Sequence, residues 1–376
     1  MAYDPKYTIT INIANNLMAI QEASTLISQL PLPTHILHEL KHDSLVETIL
    51  YSTKIEGNLL DEKSKRDAIK QPGELKEEQE VYNLWKGMQF LEQCESRGLP
   101  ITEDLIKQLH AIIDVIVSGR RPKHSQYRIE QNKVGEKSTG RIVYLPPEPQ
   151  DVPTLMEDLV AWVNSSKSIS IPVPIRAGIF LFQFLTIHPY MDGNGRTGRA
   201  LATYLLRMGG LGLNGLFVLE KYYDRNLKGY YDNLQMGLHH NYYFGRHEAN
   251  ITPWLDFFTS GMAEVFQDAA KIVRARSSEF MAVEPKLLRS LDIYQRAVFA
   301  QLAFKFNYLT TSDLHRITGF ADRTVRNKVK AWIEAGFIEP YDPKAKRIRA
   351  IKLTKKYQRV ADEIAKEPDK HKYLLT

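Results

Sequence analysis

A single cysteine, Cys94, stands in 376 residues. That scarcity excludes an internal disulfide and any zinc site built from clustered thiolates. No apolar run approaches the ~20 residues that a membrane-spanning helix needs. The greasiest stretch, residues 179–187, is too short and contains Gln183. The opening MAYDPKYTIT lacks the basic-then-apolar layout of a secretory signal. Internal repeats and low-complexity segments are missing as well. These absences make a cytoplasmic protein without a membrane partner the expectation. What is present fits a globular chain, with 43% hydrophobic and 25% charged residues and length enough for two or three domains.

The net charge of +6 is unevenly spread. From Lys286 onward there are 20 Lys and Arg against 10 Asp and Glu, a balance of +10. The first 285 residues therefore hold 30 against 34, a balance of −4. A basic C-terminal quarter suits an anionic partner or a solvated basic surface.

Helical spacing of apolar residues runs through most of the chain. It covers 36–56, 77–97, 102–117, 151–164, 174–187, a stretch after Asn194, 226–239 and 253–279. Gly57-Asn58 is a stop signal for the first of these, and Thr102 a cap for the third. Between 126 and 149 the pattern changes. YRIEQNKV and GRIVYL read as two short strands around a Gly/Ser/Thr turn, closed by Pro146-Pro147. Beyond 280–290, helical segments over 293–306, LTTSDLHRITG and VRNKVKAWIEAGFIE precede a stretch that looks like a two-stranded wing. The domain expectation is an N-terminal helical region over 1–100, a core over 101–280 and a further domain over 281–376.

The most informative stretch is HPYMDGNGRTGR, residues 188–199. Gly193 and Gly195 let the backbone turn sharply and aim successive N–H groups at one point. The helix that follows adds its positive end, so the loop is built to hold phosphate. Arg196 and Arg199, three apart, share one helical face and offer two guanidinium forks. Asp192 supplies a hard oxygen for Mg²⁺. His188, at the entrance, has the side chain best placed by pKa to accept a hydroxyl proton. Gly-Asn-Gly alone would read as a capping corner with solvated arginines. The convergence of all these groups in twelve residues favours an anion site.

The same stretch resembles the signature of the Fic (filamentation induced by cAMP) family, HxFx(D/E)GNGRxxR, with Tyr190 in place of Phe. The resemblance spans roughly residues 40–270. It implies a mainly α protein, a helical bundle with a β-hairpin flap, that lays ATP over the loop. By that resemblance His188 is the general base, Asp192 holds Mg²⁺, and Gly193, Asn194, Gly195, Arg196, Thr197, Gly198 and Arg199 bind the nucleotide. The two arginines would take the outer phosphates, so pyrophosphate leaves and AMP is transferred. Ser52-Thr53-Lys54-Ile55-Glu56-Gly57 resembles the family's inhibitory motif (S/T)xxxE(G/N). It implies that Glu56 pairs with Arg199 where the ATP γ-phosphate belongs, with Ser52 and Gly57 framing it. The 126–149 hairpin sits where the family has its flap, whose strand edge can align a target, and Arg128 stands where the family often has an arginine. Tyr230-Tyr231-Asp232-Asn233-Leu234 resembles the YYxxL helix, with Tyr231 and Leu234 lining the adenine pocket. The family frequently has Asn where this chain has Leu238, which leaves open how base or ribose is held.

Residues 309–351 resemble a winged helix-turn-helix. Arg323, Arg326, Lys328 and Lys330 ride on its second helix, and Lys344, Lys346, Arg347 and Arg349 on its wing. Such a module meets DNA or another protein. The expectation is an adenylyltransferase that moves AMP from ATP, with Mg²⁺, onto a Tyr, Thr or Ser hydroxyl of a target protein and of itself, restrained by Glu56. A homodimer is a further partner expectation. Two alternatives stand beside it: a transferase of another phosphate-containing group, and a DNA-binding regulator whose Fic-like part only senses nucleotide.

Overall fold

The computed structural model describes residues 3–30, 32, 34–115, 122–135, 142–283, 285–345 and 347–366. The chain divides into two compact units, Met1–Gln29 with Glu39–Ile272, and Leu30–His38 with Val273–Thr376.

The first unit is helical. In order it contains α1 (Ile11–Gln29), α2 (Thr34–Ile55) from Glu39 on, α3 (Glu62–Lys70), α4 (Lys76–Ser96) and α5 (Glu103–Ile113). A small antiparallel pair follows, β1 (Val134–Gly135) and β2 (Ile142–Tyr144), with Val134 opposite Tyr144. Then come α6 (Val152–Val163), α7 (Ser166–Ile169), α8 (Val173–Ile187), α9 (Asn194–Leu206), α10 (Leu219–Arg225), α11 (Leu227–Gln235) and α12 (Thr252–Val283), of which the part up to Ile272 belongs to this unit.

α8 is the axis of this unit because it has almost no polar face. From Ala177 to Phe184 every residue is buried. α9 returns against it, and the two approach closely at Gly198, where a Cβ would lie 3.0 Å from Phe184 and 3.1 Å from Leu181. On another side a Cβ at Gly178 would meet Leu255 and Phe258 of α12 at 2.9 and 3.0 Å, and Trp254 Nε1 donates to the Gly178 carbonyl at 2.7 Å. Buried aromatic side chains such as Phe180, Phe184 and Phe258 each contribute about 2–3 kcal/mol of apolar transfer energy. A central helix held this way gives the loop after it a rigid base.

Local signals place the ends. The Thr102 side chain accepts from Leu105 N–H and starts α5. Gly57, at φ 85°, ends α2, and its N–H reaches Lys54 O at 2.8 Å. Lys65 of α3 is buried and points its ammonium at Leu50 O (3.3 Å) and Asn58 O (3.5 Å), so it braces the C-terminal end of α2. The expected strand over YRIEQNKV is corrected: only Val134 and Gly135 lie in the ladder. The preceding residues bond elsewhere, as Arg128 N–H donates to Pro189 O and Asn132 to Tyr190 O. The hairpin turn lies outside the described residues.

The second unit holds α13 (Ile293–Phe304), β3 (Leu309–Thr310), α14 (Thr311–Thr318), α15 (Asp322–Glu334), β4 (Ile338–Pro340), β5 (Ala350–Leu353) and α16 (Lys355–Lys366). Its antiparallel sheet runs β3-β5-β4, with Leu309 opposite Ile351 and Ile338 opposite Leu353. Thr310 and Asp313 cap α14 reciprocally, and Gly319 ends it at φ 69°. Val298, Phe299, Trp332 and Phe337 lie in its own core.

Candidate active site

The loop from His188 to Gly193 joins α8 to α9, and other elements hold its backbone. His188 closes α8 in the left-handed region (φ 52°), a conformation that costs a non-glycine residue on the order of 1 kcal/mol. Its carbonyl accepts from Arg128 Nε at 3.0 Å, and Pro189 O from Arg128 N–H at 2.9 Å. Tyr190 O accepts from Asn132 at 2.9 Å and from Asn194 at 2.7 Å. Asp192 O lies 2.9 Å from His110 Nε2. With these carbonyls tied outward, the N–H groups that open α9, those of Asn194, Gly195 and Arg196, remain without intrahelical acceptors. Gly193 takes φ 76°, which only glycine adopts freely.

Both arginines on α9 are buried, Arg196 at 1% and Arg199 at 2% exposure, so the solvated-corner reading fails. Arg199 Nε donates to Ser52 Oγ at 3.0 Å and Nη2 to Ser52 O at 2.9 Å. The same Nη2 is 2.9 Å from the Glu56 carboxylate. Burial, the largest single influence, pulls the Arg199 pKa down, but Glu56, Tyr230 and Glu220 together outweigh it and leave it above its ordinary value. The carboxylate sits directly over Gly195: a Cβ there would lie 1.9 Å from Glu56 Oε1.

Arg196 is held differently. Its Nη2 is 3.4 Å from Asp192 and 3.8 Å from Glu80, while Nε and Nη1 are buried with no hydrogen-bond partner among the described residues. Buried guanidinium N–H groups without acceptors are costly, and an anion at this spot would satisfy them. Glu80 in turn accepts from Asn58 at 3.0 Å, just past the end of α2.

Asp192 has two distinct oxygens. Oδ1 accepts from Gly193 N–H at 2.6 Å, and Oδ2 faces Lys76 Nζ at 3.5 Å. Burial raises this carboxyl, yet Arg196, the Gly193 amide and Lys76 together carry it below the usual aspartate range. A carboxylate with one oxygen fixed and the other beside a mobile ammonium suits a divalent cation shared with phosphate.

His188 Nδ1 lies 3.3 Å from Leu185 O, and a carbonyl only accepts. The proton therefore sits on Nδ1 and leaves the Nε2 lone pair available. Burial is the main cause that lowers its pKa to about 4, so the ring is neutral at pH 7.

Residues 100–206 match the model of the Fic/DOC family. Over that span the chain is similar to a Fic domain. Over 203 residues it is 27% identical to a protein of Drosophila virilis named protein adenylyltransferase Fic, covering 52% of this chain and 39% of that one. A Drosophila willistoni protein of the same name is 28% identical over 183 residues, 46% of this chain and 34% of that one. The chain thus spans about two fifths of the length of these relatives. Among solved structures, a Fic family protein from Desulfovibrio desulfuricans superposes with a TM-score of 0.58 at 23% identity, covering 94% of this chain and 99% of that one. Fic-1 (aa134 - 508) from C. elegans gives 0.54 at 21% identity, covering 70% and 73%. These likenesses support a mainly helical Fic fold with a small β-hairpin.

The structure sorts the expected residues, inside the matched span and beyond it. Glu56, Ser52, Gly195 and Arg199 converge at one point, with Asp192 and Arg196 at another beside it. The Asn194 side chain clamps the Tyr190 N–H and carbonyl, so its backbone N–H is the group it offers to a ligand. Gly198 faces Phe184 and Leu181, and Thr197 is fully buried with its N–H on Gly193 O, which gives both a packing place. Tyr230 is buried against Tyr223 (4.6 Å between ring centres) and Trp254 (5.9 Å). Tyr231 is exposed, with its hydroxyl 3.4 Å from Ile55 O. Leu234 is half-buried one turn on. Arg128 is a loop brace. The sequence reading missed His110, Asn132 and Glu80. Each is a polar residue interrupting an apolar face or a short coil, a signal too common to single them out. Glu220, buried at the start of α10, was missed for the same reason.

Proposed function

We propose that this chain is a protein adenylyltransferase restrained by its own Glu56. The observation that carries the reading is the pair of buried arginines on one turn of α9. One is neutralised by an internal carboxylate and the other has two donors without acceptors. A triphosphate supplies anions for both. The names of the Drosophila relatives support the same class of reaction.

In this reading the target hydroxyl loses its proton to His188 Nε2 as its oxygen bonds to the ATP α-phosphorus. The bond from that phosphorus to the β-bridging oxygen breaks, and pyrophosphate leaves. The α9 amides and Arg196 neutralise the phosphates, and Arg199 orients the γ-phosphate once Glu56 has withdrawn. Asp192 Oδ2 would hold Mg²⁺, which draws charge from the phosphates when bound. Tyr231 and Leu234 flank the base, and the edge of β2 lines up the target chain.

The test is transfer of α-labelled ATP to proteins of a lysate by wild type and Glu56→Gly. Strong labelling by Glu56→Gly supports the reading. Labelling from γ-ATP alone would instead support transfer of a different phosphate-containing group, and neither label would favour a nucleotide sensor.

For the second unit we propose a winged helix-turn-helix that docks on DNA. The cations support it: Arg326 and Lys330 on α15 extend into solvent, and Arg347 and Arg349 are exposed just before β5. Lys346 lies outside the described residues.

A further inference from the structure

We propose that His110 is the positioning residue that orients the Asp192 carboxylate for its cation, an inference that rests on the nucleotide-and-Mg²⁺ reading of this loop. His110 lies on α5, far from residues 188–199 in sequence and invisible in the family signature, yet both of its ring nitrogens are engaged. Nε2 is 2.9 Å from Asp192 O and Nδ1 is 2.7 Å from Ser125 Oγ. A backbone carbonyl only accepts, so Nε2 carries the proton and Nδ1 accepts from the serine hydroxyl. The ring is stacked on Tyr190 with centroids 3.5 Å apart and planes 13° apart, which fixes its tilt. A Cβ on Gly193 would lie 3.2 Å from Nε2, so the loop comes about as near to the ring as glycine permits.

The consequence follows from peptide planarity. The carbonyl that His110 holds and the N–H of Gly193 belong to one peptide unit, and in a trans peptide they point in opposite directions. Holding the oxygen therefore aims the Gly193 N–H. That N–H is the donor to Asp192 Oδ1 at 2.6 Å. With Oδ1 fixed, Oδ2 is the oxygen left facing outward, now toward Lys76. Four links thus join Ser125 to the cation-facing oxygen: hydroxyl to ring, ring to carbonyl, amide to Oδ1, and Oδ1 to the rest of the carboxylate. His110 never meets the ligand. It acts through the plane of one peptide. Partners of this kind, one shell behind a ligating carboxylate, set metal affinity by roughly 10–100-fold.

Calorimetry on the full chain in the Glu56→Gly background tests this. ATP affinity is measured with excess Mg²⁺ and with EDTA, and their ratio is the metal-dependent gain. His110→Phe keeps the stacked ring but removes the donor, and should cut the gain about 10-fold while leaving the EDTA affinity in place. His110→Gln keeps an N–H at the Nε2 position and should restore most of the gain. A gain untouched in His110→Phe, equal losses with and without Mg²⁺, or no rescue by glutamine would each overturn the proposal. If His110→Phe does not fold, Ser125→Ala releases Nδ1 and should lower the gain by a smaller factor, and an unchanged gain there overturns it. Failure of Glu56→Gly to bind ATP under either condition would instead overturn the nucleotide reading on which this rests.

Discussion

Removing the Glu56 carboxylate should change what the protein does with ATP by a calculable amount. The contact is one N···O distance of 2.9 Å to a guanidinium with 1% side-chain exposure, from a carboxylate that keeps 34% of its own. At an effective dielectric constant near 20, unit charges about 4 Å apart attract by about 4 kcal/mol. Glu56 regains hydration when it leaves, which reduces the net cost of opening to about 2–4 kcal/mol. Each 1.4 kcal/mol is tenfold, so the restraint should suppress productive ATP binding by roughly 30- to 1,000-fold. Glu56→Gly also leaves the buried Arg199 without that carboxylate, so the unliganded variant should melt below wild type. Ligand binding to the folded state should then raise its melting temperature more than it raises wild type's. The assay is a melting curve with and without Mg²⁺ and ATP, beside α-label transfer. Arg199→Ala in the Glu56→Gly background should abolish the extra shift, because the γ-phosphate then lacks its partner, and the coupling in that double-mutant cycle is the quantity of interest. Equal ligand-induced shifts and equal transfer in wild type and Glu56→Gly would refute the reasoning.

Other outcomes are expected at single positions. His188→Ala should stay folded and lose roughly 10²–10⁴ in transfer rate as a missing general base does, measured in the Glu56→Gly background. Since desolvation lowers the His188 pKa from 6.5 to about 4, the neutral base persists through mild acid. The acid limb of kcat/KM should therefore fall near pH 4, and a limb at pH 6.5 would contradict that. Burial raises the Glu220 carboxyl from 4.5 to about 7, and Arg199 opposes only part of it. A proton held to higher pH in the folded state stabilises it fully below pH 4.5, and that contribution is lost as pH rises through 7, a change of about 3 kcal/mol. Glu220→Gln should abolish this slope in denaturant titrations between pH 5 and pH 8. If the second unit meets DNA through its cations, affinity should drop steeply as salt rises, and salt-independent binding would assign it to protein contacts.

The helices were legible because their apolar residues repeat at the helical period, and Gly57, Thr102 and Gly319 mark ends where the sequence expects them. α3 and α10 escaped notice because they are short, and α3 is mostly charged, so neither presents an apolar stripe long enough to read; the longer α1 and α16 were not expected either. YRIE misled because β-branched and aromatic residues there suggest a strand, whereas Arg128 and Asn132 use that segment to grip the loop. The loop chemistry was legible since His188, Asp192, Gly193, Gly195, Arg196 and Arg199 lie within twelve residues, in one loop and the first turns of α9. Glu80, His110 and Ser125 reach the same place only through tertiary packing of α4 and α5, which no local pattern encodes. The interior positions of Thr197 and Gly198 depend on how closely α9 lies on α8, and that too is a fact of packing.

Gly195 leaves one small volume open above the first turn of α9, and Glu56, just past the end of α2, occupies it. If Glu56 restrains the site as proposed, its release needs only a few residues at this helix end to unwind, and Asn58 on Glu80 and Lys65 on the Leu50 and Asn58 carbonyls are the contacts that hold that end. The protein would then work as a meter. Two anions compete for one vacancy, and the fraction of molecules in the open state at any moment follows the nucleotide concentration around them.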